Sequence, residues 1–219
     1  MKSTNLLLFV VLTASFVNLY GAVACIENWD DNSIGQWLAN TTRSEVEAII
    51  SGGNPGGYLQ CYEVENTYAI GALNKNSAYT GNYVSDGIVG VSADILLESG
   101  NYRGVWFRFI GSGNGWLFPI TETFTPGIWI SNEVTFDPSW SDQQARQAGW
   151  LTPHDKNPAA TPSSSFHETM QNVGCVEIRF EGYCSDLVAG IDNYILIPEP
   201  TSLVLLSLGG LILPRKRKA

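Results

Sequence analysis

Residues 87–110 read GIVGVSADILLESGNYRGVWFRFI, and the alternation inside them leaves this part of the chain few choices. Val89, Val91, Ala93, Ile95 and Leu97 occupy every second position, and so do Val105, Phe107 and Phe109 beyond the turn-forming ESGN. Successive side chains of a strand point to opposite faces, so each run is a strand with one face turned to a core. Further strands are expected at Tyr58 to Glu65, Ile128 to Phe136, Val176 to Glu181 and Ile191 to Ile197, divided by Gly, Asn, Ser and Pro. Many short strands with such separators predict an all-β chain, an antiparallel β-sandwich of the jelly-roll kind.

Two helical interruptions are expected. Ser141-Asp142-Gln143-Gln144 and Ser165-Phe166-His167-Glu168 each place a hydroxyl three residues before a Gln or Glu, the capping-box pattern, with Gly149 and Gly174 as stops. The stretch between them, LTPHDKNPAATPSSS, reads as a surface excursion of the same domain. Gly52-Gly53-Asn54-Pro55-Gly56-Gly57 reads as a turn ahead of the strand that begins at Tyr58. A phosphate cradle would need a Lys-Ser/Thr pair and a helix next, and neither follows.

Both ends carry addresses. Lys2, the apolar stretch around Leu6 to Leu12, and Ala22-Val23-Ala24 have the order of a secretory signal peptide, residues 1–24. An alternative is lipid attachment at Cys25, although Ala22 stands where such signals carry Leu. At the other end Pro198-Glu199-Pro200 precedes an apolar run, Leu203 to Leu213, shorter than the roughly 20 residues a membrane-spanning helix needs. Arg215, Lys216, Arg217 and Lys218 then close the chain and would hold its end on the cytoplasmic side. These three parts, in this order, resemble the PEP-CTERM sorting signal, residues 198–219. The resemblance implies export, transient membrane insertion of the tail, cutting by the membrane protease exosortase, and a final place at the cell surface or in an exopolysaccharide matrix. A plain tail anchor is the competing reading.

Between the addresses, residues 25–197 have the length of one domain. Setting aside Lys2, the four terminal basic residues and Glu199 leaves seven Lys/Arg against twenty Asp/Glu, a formal charge of −13. Such a body repels nucleic acid and anionic lipid, so no nucleic-acid partner is expected. Cys25, Cys61, Cys175 and Cys184 are an even set in a chain read as exported, which favours disulfides. The short separation of Cys175 and Cys184 suggests that pair, leaving Cys25 with Cys61; a Cys25–Cys184 bond is the alternative.

A second resemblance covers most of the body. SGGNPGGYLQCYE, YRGVWFRF, GIWISNEVTFDPSW, VGCVEIRFEG and AGIDNYIL, in that order, are similar to the laminin IV type A (laminin B) domain and, more loosely, to galactose-binding-like jelly rolls. AIGALNKNSAYTGNYV departs from the pattern, lacking the usual apolar approach to the next strand. The resemblance implies a structural calcium ion where first and last strands meet, with Glu27, Asp30 and Asp192 as ligands, oxygen donors of the kind calcium prefers. A simple turn at Asp30-Asp31-Asn32-Ser33 would account for the first group equally well.

For function, catalysis is disfavoured. Only His154 and His167 are present, and neither GxSxG nor HExxH occurs. A glycosidase carboxylate pair is not removed by composition alone. Polysaccharide binding is the sharper expectation. Tyr102, Trp106 and Arg108 alternate with the apolar face of their strand, Asp94 with Ala93, and Glu177 and Arg179 with Val176 and Ile178. If these strands share a sheet, its outer face sets a tryptophan among Asp, Arg and Glu, which suits the apolar face and the hydroxyls of a sugar. Against this, the 138–172 excursion, with Trp140 and Trp150 needing burial, could lie over Trp106. A structural or adhesive matrix brick with no small ligand is the third possibility.

Overall fold

The computed structural model describes residues 25–120, 122–182 and 186–200. Its strands are β1 (Cys25–Glu27), β2 (Trp37–Ala39), β3 (Ser44–Gly53), β4 (Gly56–Glu63), β5 (Ala69–Asn74), β6 (Ile88–Ser99), β7 (Tyr102–Ile110), β8 (Trp116–Ile120), β9 (Trp129–Thr135), β10 (Cys175–Gly182) and β11 (Val188–Pro198). Four short helices join them: α1 (Tyr83–Asp86) before β6, and α2 (Asp142–Gln147), α3 (Pro153–Lys156) and α4 (Phe166–Gln171) between β9 and β10. The first sheet has the order β3-β4-β11-β6-β9, with β1 also on β11; the second has the order β2-β5-β10-β7-β8. Every pairing is antiparallel. This is the expected jelly-roll sandwich.

The core lies between the sheets, where the sequence alternation places it. Val91, Ala93, Ile95 and Leu97 of β6 are buried, as are Val105, Phe107 and Phe109 of β7 and Val176, Ile178 and Phe180 of β10. Each of these Val, Ile, Leu and Phe side chains withdrawn from water contributes about 1.5–3 kcal/mol. The excursion plugs the core with aromatics: Trp150 stacks on Phe109 at 5.5 Å and also meets Phe118, Phe136 and Phe166. Both expected capping boxes form, at Ser141 with Gln144 and at Ser165 with Glu168. A third, Thr152 with Asp155, opens α3 inside the stretch read as irregular. The segment that departs from the laminin-like pattern begins with β5, and five of its six residues are buried.

Several expectations are corrected by the pairings. β6 belongs to the first sheet and β7 and β10 to the second, so Asp94 cannot share a face with Trp106. Tyr102 also leaves that face. A bulge falls where Glu181 pairs Gly104 but Gly182 pairs Tyr102, and the extra residue, Arg103, reverses the alternation. Tyr102 therefore turns inward against buried Phe124, whose N–H it accepts at 2.9 Å.

Cys25 and Cys61 are not joined; both are free thiols. Along the same edge of β11, Cys25 stands opposite Leu196 and Cys61 opposite Ala189. Seven residues of strand hold them about 20 Å apart, well beyond the ~7 Å between Cα atoms that a disulfide tolerates. Cys175 is also a free thiol, at the start of β10. Its expected partner, Cys184, lies outside the described residues, as do the signal peptide and the tail from 201 to 219. Pro198 belongs to the sandwich and not to a linker, because it pairs with Ile88. Glu199 follows by donating its N–H to Gly87 O at 2.7 Å. Among the described residues no helix is long and apolar enough to cross a membrane.

Candidate functional site

Alternation puts Trp106 and Arg108 of β7 beside Arg179 and Glu177 of β10 on the outer face of the second sheet, as expected from sequence. Their groups are largely spent on one another. Arg108 donates to Glu177 Oε2 at 2.8 Å and to Asn114 O at 2.7 Å, while Asn40 donates to Glu177 Oε1. The excursion then lies over this face. Lys156 of α3 holds its ammonium 3.8 Å from the Trp106 ring centroid and bonds Glu181 at 2.9 Å. The ring face that a sugar would stack on is thus taken by a cation. The excursion is therefore the cover set against sugar binding, and its Trp150 finds its burial in the core.

The outer face of the first sheet is built differently. Gln60, Gly190, Leu96 and Trp129 stand in one row across β4, β11, β6 and β9. Glycine in the second place lets two rings lie down on the sheet, since a Cβ there would come within 2.9 Å of both Trp129 and Tyr58. The rings meet edge to face at 5.4 Å. Glu98 fixes their neighbours, accepting from Tyr58 O–H at 3.0 Å and from Gln60 Nε2 at 2.9 Å. Burial, and then Glu98, push the Tyr58 phenol up to about 12, so it stays a donor. Beside this platform runs a groove of about 540 Å3, lined by Glu47, Gln60, Tyr62, Glu63, Glu98 and Asp186 among others. Glu63 takes one donor, Thr67 N–H, while its Oε2 is buried with none. An acceptor left over in this way calls for a partner.

The β3–β4 turn closes one end of that face. β1 occupies the edge of β11 beyond Ile191, so β4 cannot continue there and the tip lifts out of the sheet. Gly52 and Gly56 adopt left-handed φ of 96° and 93°, which only glycine takes without strain. The tip crosses the face: Trp129 Nε1 donates to Gly52 O at 2.8 Å, and Asn54 N–H donates to Asp192 at 2.6 Å. Asp94 and Asp192 are direct cross-strand partners beneath it, a like-charge pair that would repel. Asn54 and Asn193 offset this by donating amide N–H groups to Asp94.

Burial, with Asp94 and Asp30 adding, holds the Asp192 carboxyl above its usual 3.8, at about 6. The folded chain therefore retains a proton that the unfolded chain has released. The stability this gives is complete below about 3.8 and is lost as pH rises through about 6. The melting midpoint should be higher at pH 5 than at pH 7. In Asp192→Asn that difference should shrink; an undiminished difference would assign the effect to another group.

The three residues expected to hold calcium are each engaged in other hydrogen bonds. Glu27 accepts from Tyr79 O–H, Asp30 accepts from Gly57 N–H, and both oxygens of Asp192 accept backbone N–H groups. Among the described residues no three His, Cys, Asp or Glu side chains are grouped as a metal site. The two histidines are loop fasteners, His154 Nδ1 against Ala160 O and His167 Nδ1 against Pro138 O.

A jelly roll with a lined groove on one sheet face and a strapped second face is thus the class of protein in hand. No family model and no curated protein matches the chain. Among solved structures it is similar to an exo-beta-agarase, with TM-score 0.54 and 13% identity over 82% of this chain and 26% of the other. A second agarase gives TM-score 0.52 at 10% identity, over 81% of this chain and 25% of the other. The chain therefore spans about a quarter of the length of these enzymes. A family 11 carbohydrate-binding module of a Clostridium thermocellum cellulosomal cellulase follows at TM-score 0.49 and 15% identity, over 81% of this chain and 95% of the module. At these identities the likeness concerns fold.

Proposed function

We propose that the chain is an exported, exosortase-processed protein of the cell surface or extracellular matrix whose first-sheet groove binds polysaccharide. The observation that carries the binding reading is the groove itself: a tyrosine, a carboxamide and carboxylates side by side, next to the Tyr58–Trp129 platform. Sugar rings pack on aromatic faces, and their hydroxyls donate to carboxylates and accept from amides. The carbohydrate-binding module of similar fold is consistent with this reading. The address reading rests on the signal-peptide pattern at 1–24 and the sorting pattern at 198–219.

Affinity electrophoresis in the producing organism's own exopolysaccharide tests the groove. Wild type should be retarded, and Trp129→Ala and Gln60→Ala should each weaken binding at least about tenfold, equivalent to ~1.4 kcal/mol. Trp106→Ala should keep wild-type retardation, since its ring already carries Lys156. If only Trp106→Ala loses retardation, the second sheet is the binding face. If wild type itself runs freely, the matrix-brick reading replaces this one. For the address, intact mass spectrometry of the surface-borne protein should show that the tail has been removed; Arg215–Ala219 still attached in most molecules would reject processing.

A further inference from the structure

The recesses on the two sheets are lined by opposite charge. The groove of the first sheet is lined by four carboxylates, Glu47, Glu63, Glu98 and Asp186, and no cation. Between the second sheet and α3 lies a pocket of about 400 Å3 whose walls include Arg108, Arg179 and Lys156 against a single carboxylate, Glu181. Its lining is net positive in a chain of formal charge −9. That contrast matters, because a cationic recess in an acidic body focuses anions where the rest of the surface repels them.

The donors of this pocket are not equally committed. Arg108 is spent on Glu177 and Asn114 O, while Lys156 meets both oxygens of Glu181, at 3.0 and 2.9 Å, and brings its remaining charge and N–H to the pocket wall. Arg179 gives only its Nε to Glu181, at 3.3 Å, and its Nη1 lies 3.7 Å from Glu177, beyond hydrogen-bond distance. Among the described residues its two Nη groups have no hydrogen-bond acceptor, and its side chain is 30% exposed. Such an edge matches the two oxygens of a carboxylate. The wall also brings Asn114, whose Nδ2 is given to Thr161 O, Asn157, whose Oδ1 takes Ala159 N–H, each with its other amide atom left for a hydroxyl, and the apolar surfaces of Leu117 and Pro153. A bare inorganic anion would leave these unused.

We infer that this pocket is a second ligand site, distinct from the groove, that takes the carboxylate of an acidic saccharide, a uronate residue, on Arg179 and Lys156. It does not depend on the groove reading, because the two sites lie on different sheets and differ in sign.

Titration calorimetry of the full chain with trigalacturonate and with its methyl ester tests this. The ester keeps every ring and removes the charge. Trigalacturonate should bind and the ester at least tenfold more weakly, with affinity falling as salt rises. Arg179→Gln and Lys156→Gln should each reduce affinity about tenfold while circular dichroism stays native. Equal binding of acid and ester, no heat from trigalacturonate at millimolar concentration, or full affinity in both charge variants would overturn the proposal. Complete competition by acetate at concentrations equal to the uronate would overturn the saccharide part of it.

Discussion

Replacing Trp150 by alanine should lower the unfolding free energy by about 4 kcal/mol, since truncating a buried tryptophan costs both its transfer energy and the cavity left behind. The ring has no exposed surface and touches Phe109, Phe118, Phe136 and Phe166, which come from two strands, a loop and a helix. Among the described residues its Nε1 has no acceptor, so the effect is one of packing. Urea denaturation followed by circular dichroism would measure it, with a melting midpoint lower by roughly 10 °C for a domain of this size. A loss below about 1 kcal/mol would mean that the excursion rests on the sandwich without belonging to its core.

Arg108→Ala should be nearly as costly, about 3 kcal/mol, for an electrostatic reason. Glu177 is almost fully buried, its side chain 2% exposed, and Arg108 holds it at 2.8 Å. Removing the guanidinium leaves a carboxylate with only Asn40 and the more distant Arg179, and an uncompensated buried charge costs several kcal/mol. Replacing both partners with leucine should recover most of the loss, because the desolvation burden goes with the charges. A double variant no more stable than Arg108→Ala would show that the pair holds the second sheet in some other way.

These two sites show what could be read from sequence and what could not. The alternation of Val105, Phe107 and Phe109 put Trp106 and Arg108 on the outer face, and the same logic put Glu177 and Arg179 there. It failed for Tyr102 because one extra residue in a bulge reverses every face beyond it, and nothing in the composition of YRG announces that residue. It failed for Asp94 because alternation gives a face but not a sheet; sheet membership comes from long-range pairing. The groove went unread although YLQCYE alternates Tyr58, Gln60 and Tyr62 against Leu59 and Cys61. Its meaning depends on Gly190 admitting the rings of Tyr58 and Trp129 from two other strands distant in sequence, a close approach that only packing reveals. β3 is not legible in the sequence because Val46 and Ala48, alternating with Glu45 and Glu47, give weak contrast for a strand that sits at a sheet edge.

The position of β11 bears on how the molecule would carry a pull. The strand that leads to the C-terminal tail lies between β6 on one side and β4 and β1 on the other, and its pairing to β6 runs to Pro198 itself. Tension applied at the C-terminal end of that strand would run along it, so the interstrand hydrogen bonds would be sheared together and would not open one after another like a zip. An outer strand held at its end would peel at a fraction of the force. A domain tethered by β11 while its faces grip a polymer would thus yield elsewhere, in the tether or at the ligand, before the sandwich tears.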